Sequence, residues 1–147
     1  MPGEKTKVDG ESPAVQTHLG ILQSVIQRMA SNSTSCKTWC ITVVSAILVI
    51  VADKGKPDYA LLALIPTLLF SVLDAYYLAL ERCFRESYNS FICKLHRGQV
   101  ESADMFDISP EGLKVKNIAK ALLSFSIWPF YTTLGVMIWL AKVLVLA

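Results

Sequence analysis

The sequence lacks the signatures that would place it among enzymes. It has no Ser/His/Asp order, no HExxH, no phosphate-cradling glycine loop and no paired-carboxylate motif, so no catalytic activity is expected. Its four cysteines, Cys36, Cys40, Cys83 and Cys93, show no CxxC spacing. They read as small buried apolar residues, Cys83 and Cys93 in a segment expected in the reducing cytosol. His18 and His96 have no nearby partner that would make either a ligand or a base, and His18 falls on an apolar stripe. No metal or cofactor is expected. A net charge of +2 is too small to imply a nucleic-acid partner by itself. Residues 1–13 lack the basic start and adjoining apolar core of a cleavable signal peptide, and read as a disordered tail.

The most telling absence is of charge. Lys120 and Lys142 bracket 21 residues, Ala121–Ala141, with no charged side chain. As a helix this run spans about 31 Å, close to the hydrocarbon thickness of a bilayer. The chain is 53% hydrophobic with a mean hydropathy of +0.45, above ordinary globular usage of about 45–50%. These features predict an all-α membrane protein.

What is present orders itself around such spans. Ser12-Pro13 reads as an N-cap followed by proline at the first helical position. Val15, Leu19, Leu22, Val25, Ile26 and Met29 then recur at helical steps, giving an N-terminal amphipathic helix over 14–32. It carries only Arg28 where a membrane-surface helix usually carries several lysines, so packing on protein and lying in the lipid interface both stand as readings. Thr38–Ala52 is uncharged for 15 residues. With Lys37 snorkelling and Trp39 as an interfacial anchor, a first transmembrane helix is expected over 36–52. The turn 53–58 leads to a second transmembrane helix over 59–80, where Pro66 is a candidate kink.

From Ala75 to Arg97 there is neither Gly nor Pro, and Phe84, Tyr88, Phe91 and Leu95 follow four-three-four steps. A cytosolic helical extension over 81–97 follows, its stripe available to intramolecular packing or to oligomerisation, with Gly98 at C′. A loop over 98–109 precedes Ser109-Pro110-Glu111, read as the start of a basic helix over 110–120 that enters the third transmembrane helix over 121–142. With the N-terminus in the cytosol, 11 of the 14 Lys and Arg residues fall inside and three, Lys54, Lys56 and Lys142, outside. The positive-inside rule then predicts a multi-pass inner-membrane protein, N-terminus cytoplasmic and C-terminus out.

Three places invite function. Asp74 lies about 22 Å along its helix from Tyr59, some 8 Å short of the inner edge of the core. An unpaired carboxylate at mid-membrane costs up to ~2.5–3.5 kcal/mol. It is either an interfacial aspartate hydrogen-bonded beside Tyr76 and Tyr77 or a pore-lining or gating charge. Pro129 removes a backbone donor in mid-span and deprives the Phe125 carbonyl of its helical partner. Ser124, Ser126, Thr132 and Thr133 surround it, so a kinked packing helix and a hinge or pore-lining segment are both open. Finally Arg82, Arg85, Lys94 and Arg97 interleave with Phe84, Tyr88 and Phe91, and Lys114, Lys116 and Lys120 follow. Such residues suit phosphate contacts and base stacking, while positive-inside bias explains the same charges with no ligand.

His18-Leu19, Ile21-Leu22-Gln23, Val25-Ile26-Gln27-Arg28-Met29-Ala30, Asn32-Ser33, Lys37 and Trp39 resemble small bacterial membrane proteins of antiphage operons. So do Leu73-Asp74-Ala75-Tyr76-Tyr77-Leu78, Glu81-Arg82, Phe84-Arg85 and Tyr88. The pattern over residues 18–97 is similar to the SLATT-type effectors, with the pore-forming effectors of the Hailong defence system among the groups it resembles. The third span departs from their two-span plan. The resemblance implies a pore that depolarises the inner membrane of infected cells, with a nucleotidyltransferase partner supplying a nucleotide or DNA-oligomer signal to the cytosolic basic and aromatic residues.

The expectation is therefore an oligomeric, ligand-controlled channel effector. Three helices are too few to enclose an aqueous path, so symmetric assembly is required, a tetramer being one arrangement. Asp74, Ser124, Pro129 and Thr132 are the candidate pore or gate residues. Arg82, Arg85, Tyr88, Lys94, Arg97, Lys114 and Lys116 are the candidate ligand-binding residues. Two other classes stay open: a non-conducting adaptor recruiting a cytosolic enzyme through Ala75–Arg97, and a lipid-modifying enzyme using Asp74 as acid/base.

Overall fold

The computed structural model describes residues 10, 12–110 and 112–145, and these are helical wherever they are regular, with no strand among them. Four α-helices follow in order: α1 Pro13–Lys54, α2 Leu64–His96, α3 Val115–Leu122 and α4 Trp128–Leu140. Short 3-10 turns cover Pro57–Ala63 and Ser102–Phe106, and a π-turn covers Ala141–Val145.

Helix ends follow the local chemistry. The Ser12 hydroxyl accepts the Val15 N–H, capping α1 with Pro13 at its first position. At the other end Gly55 has φ 62° and closes a Schellman motif: its N–H donates to Ala52 and that of Lys56 to Val51. Gly98, at φ 64°, repeats it after α2, with the Gly98 N–H on Leu95 and the Gln99 N–H on Lys94.

Several expected boundaries change. The stretches 14–32 and 36–52 are one 42-residue helix. No Gly or Pro lies between Gly20 and Gly55, and the intervening Ser/Asn/Thr cluster is compatible with helix: the Thr38 and Thr42 hydroxyls donate to carbonyls one turn back. The stretches 59–80 and 81–97 likewise merge, apart from an opening 3-10 turn, into α2. Pro66, the candidate kink, sits in the first turn of α2, directly after the 3-10 turn, where its missing N–H is least costly. Ser109-Pro110 does not start a helix. Gly112 turns the chain at φ 73°, and helix begins only at Val115; Glu111 lies outside the described residues, as does most of the 1–13 tail. The run 121–142 is not one helix either. α3 stops at Leu122, a turn follows, and α4 starts at Trp128 with Pro129 in its first turn. Pro129 thus sits at the opening of a helix instead of bending one in mid-span. The Ser124 carbonyl bridges the break by accepting the N–H groups of Ile127 (2.9 Å) and Trp128 (3.1 Å).

The chain divides into two compact units. One comprises Met1–Ala30 with Leu80–Leu113, the other Ser31–Ala79 with Lys114–Ala147. In the first, α1 and α2 pack antiparallel, with the His18 ring 4.5 Å from that of Phe91 and Gln23 Nε2 donating to the Tyr88 hydroxyl. Val15, Phe91 and Val100 form its core, with Leu19, Leu95 and Met105 packed against them. The stripe Phe84–Leu95 is thus spent on intramolecular packing.

The second unit is built inside out by comparison. Its interior is dominated by small side chains (Cys36, Cys40, Ala60, Ala63, Ala75, Ala79), which let helices approach closely. Its exterior is apolar: among the described residues, every exposed large hydrophobic side chain but Ile21 and Ile108 belongs to this unit. Both long helices are apolar and long enough to cross a membrane, and only 22% of the most apolar stretch of each is buried. A soluble core helix would be mostly buried. α4 runs antiparallel to α2, tied by Tyr131, whose hydroxyl donates to the Phe70 carbonyl at 3.2 Å, and by the Lys142–Asp58 ion pair at 2.9 Å.

Candidate functional site

Ser33 and Lys37 stand one turn apart on α1 and therefore share a face. Asp74, on α2, has no exposed surface. The Ser33 hydroxyl donates to its Oδ1, and Lys37 Nζ lies 2.6 Å from Oδ2. The same ammonium also donates to Ser33 Oγ at 3.4 Å. Oδ2 receives no hydrogen bond of regular geometry, so its compensation is the ammonium's charge. Cys36 on α1 and Tyr131 on α4 lie within electrostatic reach of the carboxylate. The pair is net neutral and closed off by three helices. Removing Lys37 would leave the Asp74 charge buried.

This arrangement revises the readings of Asp74. Tyr76 and Tyr77 are not its partners; they pack edge-on against each other at 5.7 Å. Lys37 is only 22% exposed and points to the carboxylate instead of snorkelling away. Neither Ser33 nor Tyr131 was singled out by sequence, although the Ser33/Lys37 spacing placed both on one face. Within the chain Asp74 faces protein, not a path for water.

The other candidate pore residues do not join it. Thr132 is exposed and its hydroxyl donates to the Trp128 carbonyl of its own helix, while Ser124 and Pro129 are half-buried around the α3–α4 break. Thr132 instead lines an apolar groove of about 610 Å³ between α2 and α4, together with Leu68, Ser71, Trp128, Gly135 and Trp139. The hydroxyls of Thr67, Ser71 and Thr132 are satisfied by backbone carbonyls of their own helices, leaving the groove apolar in character.

The candidate ligand residues are split between the units: Arg82, Arg85, Tyr88, Lys94 and Arg97 in the first, Lys114 and Lys116 in the second. Arg82, Arg85, Lys94, Arg97, Lys114 and Lys116 are exposed and Tyr88 is half-buried. Arg85 pairs with Glu81 at 2.8 Å and Lys94 with Asp104 at 2.9 Å. The Asp104 carboxyl is held below the usual carboxylate range, chiefly by the Glu101 backbone N–H at 2.9 Å and then by Lys94. Asp107 is held low by the hydroxyl and N–H of Ser109. His18 is the buried histidine its stripe position predicted: it is 3% exposed, with Nδ1 at 3.0 Å from the Met105 carbonyl. That oxygen can only accept, which assigns the proton to Nδ1. Among the described residues no group of His, Cys, Asp and Glu could hold a metal.

Comparison with known proteins found no counterpart: no protein-family model matches the chain, and no curated protein and no solved structure matches it.

Proposed function

We propose that this chain is a multi-pass inner-membrane protein with its N-terminus in the cytosol, acting as an oligomeric pore or ion-channel effector. The observation that carries the membrane part is the apolar exterior of the unit Ser31–Ala79 with Lys114–Ala147, whose one buried charge pair is internally neutralised. Water would not tolerate that surface, and lipid requires it. α4 with the π-turn, Trp128–Val145, extends about 27 Å and serves as the third crossing.

A single chain offers no aqueous path, since Asp74 is sealed and the groove hydroxyls are satisfied internally. Conduction therefore belongs to an assembly of copies, with the α2–α4 groove as a surface on which helices can meet. A cytosolic nucleotide or DNA-oligomer ligand, as the antiphage resemblance implies, would compete with Glu81 and Asp104 for Arg85 and Lys94. The adaptor reading is less favoured, because the stripe of α2 that would recruit a partner is already covered by α1.

The test is electrical. Purified protein in planar bilayers, with and without candidate nucleotides and DNA oligomers, should conduct in one state, and expression should depolarise cells. Silence under every condition would remove the channel.

A further inference from the structure

α3 is short but strongly two-sided. Val115, Ile118, Ala119 and Leu122 fall on one side of its wheel, and Lys116, Asn117 and Lys120 on the other. Only Ala121 is buried against the protein. The apolar side is only partly covered: Ile118 and Leu122 are half-buried, whereas Val115 is 82% exposed, and Leu123 and Phe125 in the following turn are 80% and 84% exposed. No other large hydrophobic side chain described is as exposed as these three. Lys114, Lys116 and Lys120 are exposed beside them, and no Asp or Glu follows Glu111 in the sequence. Among the described residues none of these three lysines forms an ion pair with an acidic side chain.

A partly exposed apolar face flanked by cations with no acidic partner among the described residues, continuous with the apolar exterior of α4, is the signature of a helix lying in a lipid interface. We propose that α3 and the turn 123–127 lie in the headgroup layer of the cytosolic leaflet, with Val115, Leu123 and Phe125 dipping into the acyl boundary. Lys114, Lys116 and Lys120 take the phosphates of anionic phospholipids. The α3–α4 break then follows from the change of direction, a surface helix turning down into a crossing one. This inference rests on the membrane reading above. It also gives Lys114 and Lys116 a lipid partner in place of a soluble nucleotide.

The experiment uses the full chain reconstituted in phosphatidylcholine vesicles with and without phosphatidylglycerol. In a Cys93→Ser background, which removes the exposed cysteine, single cysteines at Val115 and Val136 carry an environment-sensitive fluorophore. The Val115 label should be quenched by nitroxide lipids labelled near the headgroup and resist aqueous iodide, while the Val136 label is quenched by deep nitroxides. Spin-labelled phosphatidylglycerol should be preferred over phosphatidylcholine at the protein boundary. Replacing Lys114, Lys116 and Lys120 by Gln should weaken that preference by about five-fold per lysine at low salt. Iodide access at Val115 with a lipid-buried Val136 overturns this inference alone, and iodide access at both overturns the membrane reading too. Protection of Val115 from both quenchers, or an undiminished lipid preference in the triple Gln variant, also overturns it; the former would mean that a second protein surface covers the stripe.

Discussion

Replacing Lys37 by Met strands Asp74 in a site with no exposed surface. Breaking a buried ion pair from one side costs about 3–5 kcal/mol. Removing the other partner should be cheaper. Lys37 is 22% exposed, and its four-carbon stem can carry the ammonium to the interface, so Asp74→Asn should cost about 1–2 kcal/mol. The double variant Lys37→Met/Asp74→Leu has no charge to bury and should lie within about 1 kcal/mol of wild type, giving a coupling of several kcal/mol. Reversible unfolding in detergent micelles measures all four corners of the cycle. Additive single effects would refute the sealed pair.

Three further outcomes follow from particular residues. Pro129→Ala should change stability by less than about 0.5 kcal/mol, since proline in the first turn of α4 forfeits no helical bond, whereas Gly98→Ala should cost about 1 kcal/mol at its left-handed φ; the same unfolding assay compares them. Phe91→Ala should cost roughly 3–5 kcal/mol and expose the amides of 102–106 to hydrogen exchange, because Phe91 packs with Val100 and against Met105. Asp104 has its carboxyl held low in the folded state, so its contribution is complete above about pH 4 and disappears as pH falls through the depressed value; Asp104→Asn should flatten that part of the acid-unfolding curve.

What the sequence made legible was governed by chemistry within one or two turns. Ser12, Pro13 and Gly98 were readable as caps because each acts on backbone groups three to five residues away. The α2 stripe was readable because its period is local, and the all-helical class with its two long apolar helices followed from the same kind of signal. Where a reading failed, a second local signal or a distant residue had decided the outcome. Ser109-Pro110 carries a start signature, yet Gly112 two residues on takes the chain out of helix. The polar run Ser31–Ser35 separates the two expected helices, yet it is helical throughout and its Ser33 hydroxyl bonds to a carboxylate 41 residues away. Pro66 and Pro129 stand inside uncharged runs whose helix starts are invisible by composition, so proline looked like a kink where it marks a first turn.

Asp74 joins these two lessons. An isolated intramembrane carboxylate has an insertion cost that argues for water or function, and that inference was sound for the residue taken alone. The cost disappears only when Lys37 and Ser33, one turn apart on another helix, meet it, and no period or spacing along α2 encodes that meeting. In the proposed pore, a neutral, sealed pair would leave the path for ions to be built between copies, on surfaces such as the α2–α4 groove. Asp74 would then hold α1 and α2 in register while something else opens. A pore whose ion selectivity survives Lys37→Met/Asp74→Leu would fit that division of labour, and one whose selectivity is lost in the double variant would put the carboxylate back in the path.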